Sequence, residues 1–138
     1  MKEDNCIFCK IADGEIPSAT LYEDEDFKVI LDVAPASEGH ALIIPKHHAK
    51  DLYDLPDDIA AKVFVLAKKM VTKLAQILEC DGYNIIQNNG LVAGQTVFHF
   101  HLHMIPRYKS DGLSLAWKPG KLSDRDREEI LKKWNEEE

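Results

Sequence analysis

The chain has 138 residues, 45% of them hydrophobic, and 17 basic against 24 acidic side chains give a net charge of −7. That length suits one domain, residues 1–138, with a core that needs no covalent staples. The negative balance and the lack of a basic stripe exclude a nucleic-acid groove, and no run is apolar enough to span a bilayer.

The polar start, Met1-Lys2-Glu3-Asp4-Asn5, is unlike a signal peptide and leads directly to Cys6 and Cys9. Three cysteines, two of them spaced Cys-x-x-Cys, fit a reducing cytoplasm better than a disulfide scaffold. Residues 6–16 read as a loop with a short helical turn, closed by Gly14 and Pro17. Residues 21–23 and 27–32 form a predicted hairpin around the turn Asp24-Glu25-Asp26. A loop over 33–39, with Pro35 and Gly39, precedes a third strand over 40–45, which ends at a proline that cannot donate to a ladder.

Pro56-Asp57-Asp58 opens a long helix, since proline suits a first turn and two acids suit its positive end. Ile59, Val63, Leu66, Met70, Leu74 and Ile77 then recur at helical spacing, predicting one core-facing stripe down to about residue 79. Cys80 reads as a buried small hydrophobe, and residues 83–87 as a fourth strand. A helical tail spans about 122–136. It begins near Ser123, with Asp124 and Asp126 in its first turn and Ile130, Leu131 and Trp134 predicted to face inward. Strands, one long helix, then more strands indicate an α+β domain with a largely antiparallel sheet.

The most informative segment is His99-Phe100-His101-Leu102-His103-Met104-Ile105, framed by Val97-Phe98 and Pro106. Its β-branched and aromatic content predicts a strand. Alternation along a strand puts the three imidazoles on one face and Phe100, Leu102 and Met104 on the other. Side chains two apart lie roughly 6.5–7 Å from each other, so the imidazoles can serve one ligand or metal. A neutral imidazole is nucleophilic, and near pH 7 an unperturbed one is mostly neutral. Aimed at a phosphorus, it can displace a leaving group and form a nucleotidyl-imidazole that water then cleaves.

The run His-x-His-x-His followed by two apolar residues resembles the signature of the histidine-triad (HIT) superfamily of nucleotide-binding hydrolases and transferases. Cys6-Ile7-Phe8-Cys9-Lys10, Gly39-His40 leading into Ile43-Ile44-Pro45-Lys46, Asn88-Asn89-Gly90 and Gly94-Gln95-Thr96-Val97 extend the resemblance over residues 6–108. It looks closest to the small bacterial, nucleoside-phosphoramidase-like branch. The resemblance implies a five-stranded antiparallel sheet with one long helix and a C-terminal helix, and a homodimer joining two such sheets.

It also implies roles. His101 becomes the nucleophile, its second ring nitrogen held by an acceptor, most simply a backbone carbonyl. His103, Gln95 and Thr96 become donors to phosphate oxygens, and Gly94 a point of close backbone approach. Asn88 matches a site asparagine, although before Gly90 it reads equally as a turn residue. His40 becomes a buttress to the triad and Asp32 a ribose acceptor. Phe8, Ile11, Leu31 and Val33 become the apolar slot for a purine base; by themselves they read as core.

A second constellation overlaps the first. Cys6 and Cys9 have the spacing of a zinc knuckle over residues 6–9, with imidazoles available at His47, His48 and His99. In family members that carry structural zinc, the ligands map onto Cys6, Cys9, His48 and His99; catalysis itself requires no cofactor. Unligated reduced cysteines remain the alternative, and a redox role is disfavoured without a βαβ unit. If His99 binds metal it is no free base, and its role becomes positional. The resemblance implies hydrolysis of nucleoside monophosphate derivatives, phosphoramidates or dinucleoside polyphosphates, at the α-phosphorus. The alternative is a purine-nucleotide-binding sensor with little turnover.

Overall fold

The computed structural model describes residues 2–137; Met1 and Glu138, the ends of the expected single domain, lie outside the described residues. In chain order the elements are α1 (Ile7–Ala12), β1 (Thr20–Glu23), β2 (Phe27–Leu31), β3 (Ala41–Pro45), α2 (Asp57–Leu78), β4 (Gly82–Ile86), β5 (Leu102–Arg107) and α3 (Asp124–Glu136). The five strands form one antiparallel sheet in the order β1-β2-β3-β5-β4. The α+β reading and its five-stranded sheet therefore hold.

Local chemistry accounts for the joints. At the β1–β2 turn the Asp24 carboxylate accepts from the backbone N–H groups of Asp26 and Phe27, each at 2.8 Å. Pro56 is the N-cap of α2 rather than a residue of its first turn, and Glu79 ends the helix in the left-handed conformation. Gly39 has φ +90°, and a side chain there would run into Leu78, so only glycine delivers the chain to His40.

The sheet carries a core on each face. On one, Val29, Ala41, Ile43, Phe100, Leu102 and Met104 pack against the α2 stripe of Ile59, Val63, Leu66, Met70 and Leu74. On the other, Ile30, Leu42 and Ile44 pack against Phe8, Ile11 and Ala12 of α1. A helix of six residues contributes little cohesion of its own. Lys28 pins it from the sheet, its buried ammonium donating to the Ile11 carbonyl at 3.0 Å.

Four expectations are corrected. Ile77 is 64% exposed, because the stripe continues through the half-buried Leu78 instead. Ile130, Leu131 and Trp134 are 61%, 53% and 76% exposed, and α3 buries none of its described residues. Its amphipathic pattern defines an apolar face, but none of the described residues covers it. Cys80 is only half-buried. Finally, β5 begins at Leu102 and runs through Pro106, leaving His99 and His101 ahead of the ladder. Pro106 fits because pairing with β3 stops at Met104, leaving no ladder to complete on that side. The Pro106 carbonyl instead accepts from Ser37 Oγ at 2.5 Å, tying the 33–39 loop to the sheet.

Candidate active site and metal centre

His101 stands just before β5, with Phe8 meeting its ring edge-on at 4.9 Å between centroids. Its Nδ1 lies 2.8 Å from the carbonyl oxygen of His99. A carbonyl only accepts, so Nδ1 carries the proton and Nε2 keeps its lone pair. Burial pushes the His101 pKa down, against smaller upward pulls from the His99 carbonyl and Asp32. The ring is therefore neutral near pH 7 and its Nε2 is unprotonated. The holding acceptor, a backbone atom, leaves no mark in a sequence.

A second chain of protons runs behind it. The Ala36 N–H donates to His40 Nδ1 at 2.9 Å, which places the His40 proton on Nε2. That N–H faces His103 Nδ1 at 2.9 Å, so His103 accepts there and carries its own proton on Nε2. Burial, followed by the neighbouring His101 and His40, pushes the His103 pKa down to about 4. Burial likewise lowers His40, with Asp32 opposing. Asp32 Oδ2 lies 3.5 Å from His40 Nε2, while its Oδ1 accepts from the Ala34 N–H at 2.9 Å. Asp32, His40 and His103 cluster closely, but His40 Nε2 carries a proton where a metal ligand would need a free lone pair. They form a hydrogen-bonded relay.

His101 and His103, with rings 4.9 Å apart, open onto a cleft of about 480 Å³. Of the residues singled out for nucleotide contact, Phe8, Ile11, Leu31, Asp32, Val33 and Thr96 line it. Ile30, Leu42 and Val97 line it as well and were not predicted. The signal for Ile30 and Leu42 was available, since strand alternation puts them on the face opposite Val29 and Ile43. Three of the predicted nucleotide contacts lie outside the cleft lining. Gln95 is 1% exposed, and its amide nitrogen donates to the carbonyls of Lys50 (2.7 Å) and Val97 (3.1 Å) while its Oε1 accepts from the Gly90 N–H (2.8 Å). With both amide hydrogens engaged, Gln95 braces the 95–97 segment instead of facing a phosphate. Gly94 (φ +96°) lies against the side chain of the half-buried Asn88.

His99 belongs to the other constellation. It is fully buried, and its Nδ1 lies 3.3 Å from Cys6 Sγ, 3.5 Å from Cys9 Sγ and 3.2 Å from His48 Nδ1; Cys9 Sγ is 3.4 Å from His48 Nδ1. Tetrahedral zinc at ordinary bond lengths separates sulfur and nitrogen ligands by about 3.5 Å and two nitrogens by about 3.3 Å. The donor set and its spacing fit. The donors are also aimed: His99 Nε2 donates to the Pro45 carbonyl at 2.8 Å, presenting Nδ1 to the centre. Backbone N–H groups of Cys9 and Glu3 point at Cys6 Sγ and Cys9 Sγ, as thiolates require. Without a metal, burial pushes the His99 pKa down to about 4 and the Cys9 thiol up. Four protein ligands leave no open position, so a metal here is structural. His48, not the exposed His47, belongs to this group, and His99 is not a free base in the cleft.

The HIT domain family model matches residues 13–110. The adenosine 5'-monophosphoramidase HNT1 of Candida albicans is 42% identical over 146 aligned positions, covering 96% of this chain and 95% of that protein. A HIT family member from Bacillus subtilis superposes with a TM-score of 0.89 at 40% identity, covering 96% of each chain. A zinc-bound histidine triad family protein from Mycobacterium smegmatis superposes with a TM-score of 0.76 at 41% identity, covering 92% of this chain and 89% of that one. This chain belongs to the HIT family. Among the described residues no helix is long and apolar enough to cross a membrane.

Proposed function

We propose that the chain hydrolyses nucleoside monophosphate derivatives, with phosphoramidates of a purine nucleoside as the first substrates to test. The observation that carries this is the His101 ring: Nδ1 is held at 2.8 Å on the His99 carbonyl, and His101 lines the cleft. Its Nε2 lone pair attacks the α-phosphorus. The P–N bond to imidazole forms as the bond to the leaving amine breaks in line, giving a nucleotidyl-His101. The departing nitrogen takes its proton from water, with His103 Nε2–H as a hydrogen-bond donor beside it, and leaves as ammonia. Water then attacks the phosphorus, loses a proton to solvent and releases the nucleoside monophosphate with His101 as it began.

Binding follows from the walls. Phe8, Ile11, Leu31 and Val33 offer an apolar slot to the base, and Asp32 accepts from the ribose hydroxyls. Thr96 and His103 donate to phosphate oxygens where charge builds up. Asn88 and Gly94 support this wall from behind, and Gln95 holds its backbone. Zinc on Cys6, Cys9, His48 and His99 supplies fixation and no chemistry. The active form is a homodimer in the cytoplasm. Support for the dimer comes from apolar surface left open on the single chain: Phe64, Val65, Ile85, Leu131 and Trp134.

The test is rapid-quench mass spectrometry with adenosine phosphoramidate. The wild type is expected to accumulate one adenylyl group and His101→Gln none. Turnover of the wild type no faster than that of His101→Gln would leave only nucleotide binding, and the hydrolase reading fails.

A further inference from the structure

The two constellations share one residue, and the sharing is physical. His99 points its ring into the cysteine cluster and its carbonyl at Nδ1 of His101. The peptide between them lies ahead of β5, whose pairing with β3 begins only at Ile43↔Leu102. No ladder fixes it. Two protein contacts do: His99 Nε2 on the Pro45 carbonyl, and the Phe100 N–H on the Ala49 carbonyl at 2.7 Å, beside His48. The third tie is the cluster itself, which gathers four donor atoms within 4.8 Å of one another. The same cluster controls a cleft wall. Cys6 caps α1 and Cys9 lies within it, while Phe8, between them, touches the edge of His101, and Ile11, one turn on, lines the cleft.

We propose that occupancy of the Cys6/Cys9/His48/His99 centre and occupancy of the nucleotide cleft are thermodynamically linked, the coupling passing through the His99 carbonyl and through Phe8 on α1. Cys6, Cys9 and His48 are then positioning residues for His101 rather than scaffold alone. The linkage works in both directions. A metal that fixes the His99 peptide and α1 preorganises His101 and the base slot, so nucleotide binds more tightly. Nucleotide packed against Phe8 and His101 resists the movement of α1 and residue 99 through which the metal leaves. Linkage requires both effects to be equal in size. This rests on the nucleotide reading of the cleft.

The experiment uses the folded, metal-loaded protein with cobalt replacing zinc, and adenosine 5'-monophosphate as probe. The cobalt dissociation constant is read from its visible absorption in competition with a chelator, with and without saturating nucleotide. Nucleotide is expected to tighten cobalt binding about five-fold or more, the lower end of ordinary coupling. Calorimetry should show nucleotide binding weakened by metal removal, and nitrogen NMR should show the His101 ring losing its preference for the Nδ1–H tautomer. The replacement His48→Cys, which keeps four ligands, retains the linkage, and His48→Ala loses it. Equal cobalt affinities with and without bound nucleotide overturn the linkage while leaving the nucleotide reading intact. Failure of the loaded protein to bind the nucleotide at all in the calorimeter overturns both.

Discussion

The two faces of the sheet are built on different principles. The α2 face has an apolar centre, with Tyr22 and Tyr83 at its margin: a long helix lays a periodic stripe on Val29, Ile43, Phe100, Leu102 and Met104. The α1 face has a six-residue helix over Ile30, Leu42 and Ile44, held at one end by Lys28 and at the other by two cysteines and two histidines. Burial of apolar area stabilises the first. On the second, polar groups must be individually satisfied, and that is where His101, His103 and Asp32 open onto the cleft. One face provides stability, and so frees the other to hold side chains in arrangements chosen for chemistry.

Residues 101 and 102 are neighbours on opposite faces, so substituting each separates the two principles. His101→Gln keeps the volume and should lower kcat/KM for adenosine phosphoramidate by about 10³-fold or more, while unfolding free energy shifts by less than about 1.5 kcal/mol. Steady-state kinetics with urea unfolding reads both; loss of folding instead of rate would undo the distinction. Leu102→Ala should do the reverse, costing about 2–5 kcal/mol of stability. Its kcat/KM under native conditions should stay within a few-fold of wild type.

Chelation attacks the α1 face alone. Removing metal should lower unfolding free energy by about 2–3 kcal/mol at ordinary excess ligand, seen as a lower thermal midpoint in calorimetry. Far-UV circular dichroism should be retained, because α2 and the sheet do not depend on the cluster. A chelated protein with an unchanged midpoint would mean that the cysteines and histidines hold no metal.

Acid should also act first on this face. His103 has a pKa of about 4 in the folded chain against about 6.5 unfolded, so the unfolded chain binds more protons between those values. Its contribution is therefore fully present above pH 6.5 and fades as pH falls towards 4, by about 2 kcal/mol. Chemical denaturation across that window should show the slope, and His103→Asn should flatten it. The smallest effect belongs to Ile77→Ala on the exposed side of α2, within about 0.5 kcal/mol for the dissociated chain; a larger loss would place Ile77 in the core after all.

The fold was legible to the extent that its signals are local. The α2 stripe, the β1–β2 turn, the Ser123 cap and the alternation of Phe100, Leu102 and Met104 all came from residue type at fixed spacing. Reading failed where partners decide. The α3 pattern defined an apolar face without saying what covers it, and Ile77 and Leu78 compete for one stripe on grounds that spacing alone does not resolve. Pro106 looked like a terminator because its missing N–H matters only if a neighbour needs it, and β3 has already ended there.

For the site, the residue types and their pairing with a known family were readable: the histidines, the cysteine pair, Asp32 and the apolar wall. What folding alone decided was the protonation of each ring and the duty of each shared residue. The Ala36 N–H, the His99 carbonyl and the Pro45 carbonyl set three tautomers, and none has a side-chain signature. Gln95 looked like a phosphate donor until the carbonyls of Lys50 and Val97 took its hydrogens. Composition and spacing determine which groups are available. Backbone acceptors 45 and 54 residues away, at Lys50 and Pro45, determine what Gln95 and His99 do, because a hydrogen bond depends on distance in space and not on order in the chain.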